Sequence, residues 1–211
     1  YNDNIIDNDN MNNNDENDNI IDNDDISFNQ KIDEKFIKKY SQISENESKK
    51  IFDNISNAFT KDNYEILLEN ELITSQNEQS ENDEVSTPYK LSKIILNHID
   101  DNYFLTYPRI LDYCCGKGSI IYQTFIHYYK ILIKKIKNPF VCCKLIIETC
   151  LYIGDLNNIN VFITLTLIYN QAYKFCGKKY LYNFNWYCGD AFNLNLPEQW
   201  NIDFVNGVFV N

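Results

Sequence analysis

The chain has 211 residues, is 44% hydrophobic and 23% charged, and carries a formal net charge of −11, a size that accommodates one ordinary domain and a tail. The charge is divided: residues 1–86 hold 22 Asp/Glu against 7 Lys/Arg, and residues 87–211 hold 8 against 12, so the halves carry −15 and +4. No uncharged apolar run of about 18 residues is present, which argues against a membrane span, and no basic start followed by an apolar run marks a secretion signal. The seven cysteines lie at 114, 115, 142, 143, 150, 176 and 188. Two adjacent pairs and an odd total make a poor disulfide framework, so a reducing intracellular compartment (cytoplasm, nucleus or viral factory) is expected rather than secretion. Asn occurs 32 times, and 18 Lys stand against one Arg. That bias reads as A/T-rich coding, and single Asn or Lys residues carry little functional information.

Residues 1–30 hold eleven Asn, nine Asp/Glu and no Lys or Arg, and a disordered tail is expected there. Its Asp-Asn spacing lacks the central Gly and closing Glu of a calcium loop. Residues 31–75 read as a helical extension. Ile32, Phe36, Ile37 and Tyr40, then Ile51, Phe52, Ile55 and Phe59, sit at helical spacing, and a cap packed on the main domain is the reading. Residues 76–85 read as a linker. Ser86-Thr87-Pro88 is a helix start, a hydroxyl cap with Pro inside the first turn. That helix runs to about His98, with Leu91, Ile94, Ile95 and Ile99 on one face.

From there strands and helices alternate. Parallel strands are expected near 109–113, 151–155, 183–188 and 202–206, in spatial order three-two-one-four. Long helices are expected at 119–136 and 158–174, with a short one at 141–149. The fold class is therefore α/β with a parallel sheet. Three strand ends carry acids. Asp112 enters the turn Gly116-Lys117-Gly118 and then a helix, where glycines let backbone approach a ligand and the helix N-terminus offers N–H groups. Asp155 ends the second strand, where a carboxylate can accept from ribose hydroxyls. Asp190 follows the third, where it can accept from an exocyclic amine. In a parallel sheet these three ends share the edge at which ligands bind.

The succession of Thr87-Pro88, Asp112-Tyr113-Cys114-Cys115-Gly116-Lys117-Gly118, Gly154-Asp155, Gly189-Asp190 and the stretch Val205–Asn211 resembles the catalytic half of adenine-specific DNA methyltransferases. The resemblance is to the type II restriction-modification kind and their giant-virus relatives, and it covers roughly residues 86–211. The family's first motif is usually Asp-Pro-x-x-Gly-x-Gly; here the spacing holds and Tyr113 replaces the Pro. The resemblance implies a partial Rossmann-like fold dependent on S-adenosyl-L-methionine (AdoMet). It implies that Thr87, Asp112, Gly116 and Gly118 lie by the methionine part of AdoMet, Asp155 on its ribose, and Asp190 on its adenine, with Ile120 packing on the ring. Duplex DNA is the implied partner, methylated on the exocyclic amine of adenine.

One motif departs from the family. Members end the fourth strand with Asn (or Asp)-Pro-Pro-Tyr (or Phe), whose Asn holds the target amine and whose ring stacks on the flipped base. Here residues 205–211 read Val-Asn-Gly-Val-Phe-Val-Asn. Asn206 and Phe209 are the candidate catalytic residues, and neither alignment restores the two prolines. Little or no methyl transfer is expected of a truncated or diverged product. A partner chain is expected to complete the sheet's apolar edge, and the DNA-recognition region is expected outside this chain. An RNA or protein methyltransferase and a non-catalytic AdoMet-fold binding protein are the alternatives. No metal site is expected. Adjacent cysteines on a strand point to opposite faces, so Cys114-Cys115 and Cys142-Cys143 do not make a four-thiolate zinc centre. The cysteines read as core residues.

Overall fold

The computed structural model describes residues 23–71 and 87–190, together with the backbone of 203–205 and 208–210. Helix α1 spans Asn23–Tyr40 and ends on Lys38 and Lys39, which suit the negative end of a helix. It begins ahead of the expected boundary, so the expected tail loses residues 23–30 to a helix. Residues 1–22 and the expected linker at 76–85 lie outside the described residues.

Helix α2, Glu45–Thr60, opens on Ser44, whose side chain accepts from the Glu47 N–H; Ser-x-x-Glu is the sequence of a capping box. A short α3, Tyr64–Ile66, runs into a π-helical turn at Leu67–Glu71. Helix α4 is Tyr89–Asn97. Pro88 stands at its cap with φ −56° and ψ 138° rather than inside its first turn, and no side chain caps it. Its buried stripe is Tyr89, Ser92 and Leu96, and the apolar stripe expected from the sequence faces outward, Ile94 being 54% exposed. Ser92 turns inward because its hydroxyl bonds Ser119 Oγ at 2.7 Å.

After α5 (Asp101–Phe104) come β1 (Ile110–Asp112), α6 (Ser119–Ile136) and α7 (Pro139–Leu145), which ends in a π-helical turn at Ile146–Cys150. Then follow β2 (Leu151–Asp155), α8 (Asn158–Cys176) and β3 (Asn185–Cys188). β1, β2 and β3 lie in that order and pair in parallel, with Leu111 opposite Tyr152 and Ile153 opposite Trp186. All five residues of the central β2 are buried, as a strand covered on both faces requires. α8 is rich in β-branched residues, a poor helical composition in isolation. It forms because it is buried nearly all round, from Asn160 to Ala172.

The fold is thus α/β around a parallel sheet, and the first three strands take the expected order. The fourth does not. β4 (Asp203–Val205) pairs antiparallel with β5 (Val208–Val210), Val205 opposite Val208, instead of lying parallel beside β1. Asn206-Gly207 stands between them in the sequence, the pair that most favours a two-residue reversal between apolar strands.

The N-terminal helices share the core of the sheet. Phe36, fully buried, stacks on Tyr169 of α8 at 4.3 Å between centroids. The Tyr40 hydroxyl donates to the Tyr182 carbonyl and accepts from the Phe184 N–H at 3.2 Å. Asp33 accepts from the Tyr169 hydroxyl at 2.8 Å and from Lys179 at 2.5 Å. Among the described residues no helix is long and apolar enough to cross a membrane.

Candidate functional site

The carboxyl ends of β1, β2 and β3 converge on one turn. The chain leaves β1 at Asp112 and bends through Tyr113–Gly118. Two glycines there have left-handed backbone, Gly116 at φ 51° and Gly118 at φ 85°, a region that side chains disfavour. The Cys115 N–H donates to the Gly154 carbonyl at 3.0 Å, tying the turn to β2, and the Gly118 N–H donates to the Cys115 carbonyl at 2.9 Å. Gly118 is also a point of close approach. A Cβ there would lie 2.6 Å from Thr164 Oγ1 on α8, and Thr164 Oγ1 donates to the Gly116 carbonyl at 3.3 Å.

Asp155 organises the turn. Its Oδ2 accepts the Gly116 N–H at 2.8 Å. Its Oδ1 accepts the Asn157 N–H at 2.8 Å and the Asn160 side-chain amide at 3.4 Å, and its carbonyl accepts the Gly189 N–H at 2.9 Å. One buried residue thereby fixes the loops after all three strands. Asp112 lies opposite Ile153, and Asp155 opposite Cys188, so Asp112, Asp155 and Asp190 share one sheet edge, as the sequence pattern expects. Thr87 lies just ahead of α4, which the Ser92–Ser119 bond sets against the first turn of α6. Ile120, in that turn, is 37% exposed. Asn206 lies outside the described residues, and Phe209 sits in β5 opposite Phe204.

Electrostatics follow from burial. Burial pushes the Asp112 carboxyl up to about 6; the Cys114 backbone N–H opposes the shift and the Asp155 charge adds to it. The Cys114 and Cys188 thiols are raised by burial and by Asp155, and that of Cys115 by burial and by Asp112. These thiols stay protonated at neutral pH, which makes them poor nucleophiles and metal ligands. Among the described residues no group of three His, Cys, Asp or Glu could hold a metal ion.

Sequence reading missed an aromatic pair. The Tyr113 and Tyr187 rings stack at 5.8 Å and 21°, across β2 at Gly154, where a Cβ would meet the Tyr113 ring at 3.0 Å. The Tyr113 hydroxyl is buried without a hydrogen-bond partner, and burial, then Tyr187 and Asp190, push it up to about 12. The signal was a glycine inside a strand, the mark of close approach. Asn160 and Thr164, on the first turns of α8, gave no signal among so many Asn and Thr residues.

No family model matches the chain, and no curated protein or solved structure gives a significant match.

Proposed function

We propose that this chain is the nucleotide-cofactor half of a Rossmann-like AdoMet-dependent methyltransferase, of the kind that methylates adenine in DNA. The observation that carries the reading is the convergence of three parallel strand ends on a left-handed glycine turn that opens directly into α6. Two features fit the cofactor. The space where a Cβ of Gly116 would stand holds no atom within 4 Å, and the buried Tyr113 hydroxyl lacks a partner. Gly116, Gly118 and the first turn of α6, which no side chain caps, would face the methionine part. Asp112, ionised at neutral pH with its carboxyl near 6, would take the ammonium group.

Asp155, at the end of β2, would face the ribose, its oxygens keeping acceptor capacity beyond the bonds they already make. The same oxygens accept the Gly116 and Asn157 N–H groups, so Asp155 also shapes the turn. AdoMet supplies an electrophilic methyl group; the chain's part is to bind and orient it. Calorimetric titration of the full chain with AdoMet and with S-adenosylhomocysteine tests the reading. Saturable heat with both ligands is expected, weakened about tenfold or more by Asp112→Ala and unchanged by Asp101→Ala on α5. No heat at millimolar ligand would end it.

A second reading has its own observation. β4 and β5 form an antiparallel pair where the family's catalytic tetrapeptide would stand. That favours a non-catalytic AdoMet-binding protein over an enzyme acting on DNA, RNA or protein. Incubation with labelled AdoMet and unmodified A/T-rich DNA separates the two. Incorporation into adenine that Asn206→Ala abolishes would support the enzyme, and binding without incorporation the binder.

A further inference from the structure

Twelve large apolar residues are exposed among the described ones, and seven of them fall between Leu91 and Tyr107. Leu91, Ile94, Ile95 and Ile99 form one stripe on α4 and the turn after it, at the i, i+3, i+4 and i+8 spacing of a helix face. Tyr103, Leu105 and Tyr107 continue the surface through α5 and the loop that follows. All seven are between 36% and 54% exposed. The elements beneath them are held in place. Ser92 of α4 bonds Ser119 of α6 at 2.7 Å, the Phe104 ring of α5 meets that of Tyr128 at 5.0 Å, and Lys135 stands 5.5 Å over the Tyr107 ring.

A large apolar side chain offers roughly 150–200 Å² when fully exposed, so these seven present on the order of 500 Å². A stable interface takes about 800 Å² from each partner, and in homodimers roughly 65% of it is apolar. The patch matches the apolar share of one such face, and it lies at the upper end of what lone monomers leave open, roughly 300–600 Å². Charges flank the stripe unevenly. Lys90 and Lys93, both exposed, stand at its start, and Asp100 and Asp101, both exposed, at its end. A helix dipole disfavours cations in the first turn, so α4 itself gives no reason for lysines there. About a two-fold axis through Ile95, an identical stripe runs antiparallel to the first, with Leu91 against Ile99 and Lys90 beside Asp101.

We propose that α4 and α5 form an isologous interface with a second copy of this chain, α4 packing antiparallel on its counterpart about a two-fold axis near Ile95. The apolar stripes meet at the centre and exclude water. At the rim, Lys90 and Lys93 of each copy face Asp100 and Asp101 of the other. Lys90 touches Glu69 at 3.1 Å and Asp101 touches His127 at 3.3 Å, yet both side chains are largely exposed, so each can also serve the second copy. The residues of the glycine turn are not part of this surface, and the inference holds whether or not the chain binds AdoMet.

Sedimentation velocity of the full chain from about 1 to about 100 µM reads the association. A monomer–dimer equilibrium is expected within that range. Ile94→Asp should weaken it at least about tenfold. Val141→Asp, at a comparably exposed position on α7, should leave it unchanged. Circular dichroism melts check that both variants fold, and Ile94→Ser is the milder change should Ile94→Asp unfold. Charge reversal tests the two-fold arrangement. Lys90→Glu and Asp101→Lys should each weaken dimerisation several-fold, and the two together should restore it, because each copy then again offers opposite charges. A chain that stays monomeric at about 100 µM would overturn the proposal and leave the patch to a different partner. Dimerisation that Ile94→Asp leaves intact, or that Val141→Asp removes equally, would put the interface elsewhere. A double reversal that regains nothing would overturn the antiparallel pairing.

Discussion

Asp155 shows how a position can be legible while its use is not. An acid at the end of a parallel strand is visible in the sequence, and the structure places it on the expected edge. Its hydrogen bonds to Gly116 and Asn157 depend on how the turn curls back, which no local pattern encodes. Replacing it by Ala leaves the part-buried Gly116 N–H without its acceptor. Asp155→Ala should therefore lower folding stability by about 1–3 kcal/mol, measured by urea denaturation, whether or not a cofactor binds. Asp112 makes a pH prediction of opposite character. Its folded carboxyl titrates near 6 against an ordinary 3.8, so the folded state holds the proton more tightly than the unfolded chain does. Its contribution falls as pH rises from about 4 to about 6 and is level above that, a loss of at most about 3 kcal/mol. Asp112→Asn should match the wild type near pH 4 and exceed it in stability at pH 7. Parallel denaturation curves that differ equally at both pH values would contradict the buried-carboxyl account.

Among the elements, the glycine turn and α8 make one unit. Gly118 needs its left-handed backbone and the absence of a Cβ, because Thr164 stands where that atom would go. Gly118→Ala should cost about 1–3 kcal/mol through backbone strain and the clash together. Adding Thr164→Ala should restore part of the loss, since it removes Oγ1 and Cγ2 but leaves the φ strain. A double-mutant cycle in thermal unfolding reads the coupling; strict additivity would mean that the contact is not felt. The sequence announced β1, β2, α6 and α8 through apolar runs and periodicity, and these lie close to where the pattern placed them. It also contained the signal for β4 and β5. Reading a parallel strand near 202–206 overlooked Asn206-Gly207, a turn pair set between Phe204-Val205 and Val208-Phe209. The outward face of α4 was illegible for a different reason. Four apolar residues at helical spacing define a stripe, but only Ser92 meeting Ser119 across the helix pair decides which stripe turns inward.

At the scale of the whole molecule, the charge boundary near residue 86 is not a boundary of the core. The first half is strongly acidic and the second mildly basic, yet α1 and α2 pack on α8 with the same burial as the sheet. Phe36 lies among Tyr40, Phe52, Phe162, Tyr169 and Phe184, with ring centroids 4.3–6.2 Å away. The half-buried pair Lys179–Asp33 fixes α1 to the loop after α8. Composition could not reveal this, because Lys31, Glu34, Lys35, Lys38 and Lys39 of α1 are exposed while its apolar stripe and the single inward acid Asp33 decide the packing. The consequence is cooperative unfolding. Phe36→Ala removes a fully buried ring from a cluster it shares with α2, α8 and the segment leading into β3. It should destabilise the whole protein by about 3–5 kcal/mol, as for a core aromatic, rather than fray one helix. Native-state hydrogen exchange distinguishes these outcomes. In the wild type, the slowest amides of α1 near Phe36 should exchange with the same opening free energy as those of β2, and Phe36→Ala should lower both by the same amount. If α1 instead exchanged by a separate, lower-energy opening that left β2 protected, the N-terminal helices would be an appended cap, and the single core would be the wrong description of how this chain is stabilised.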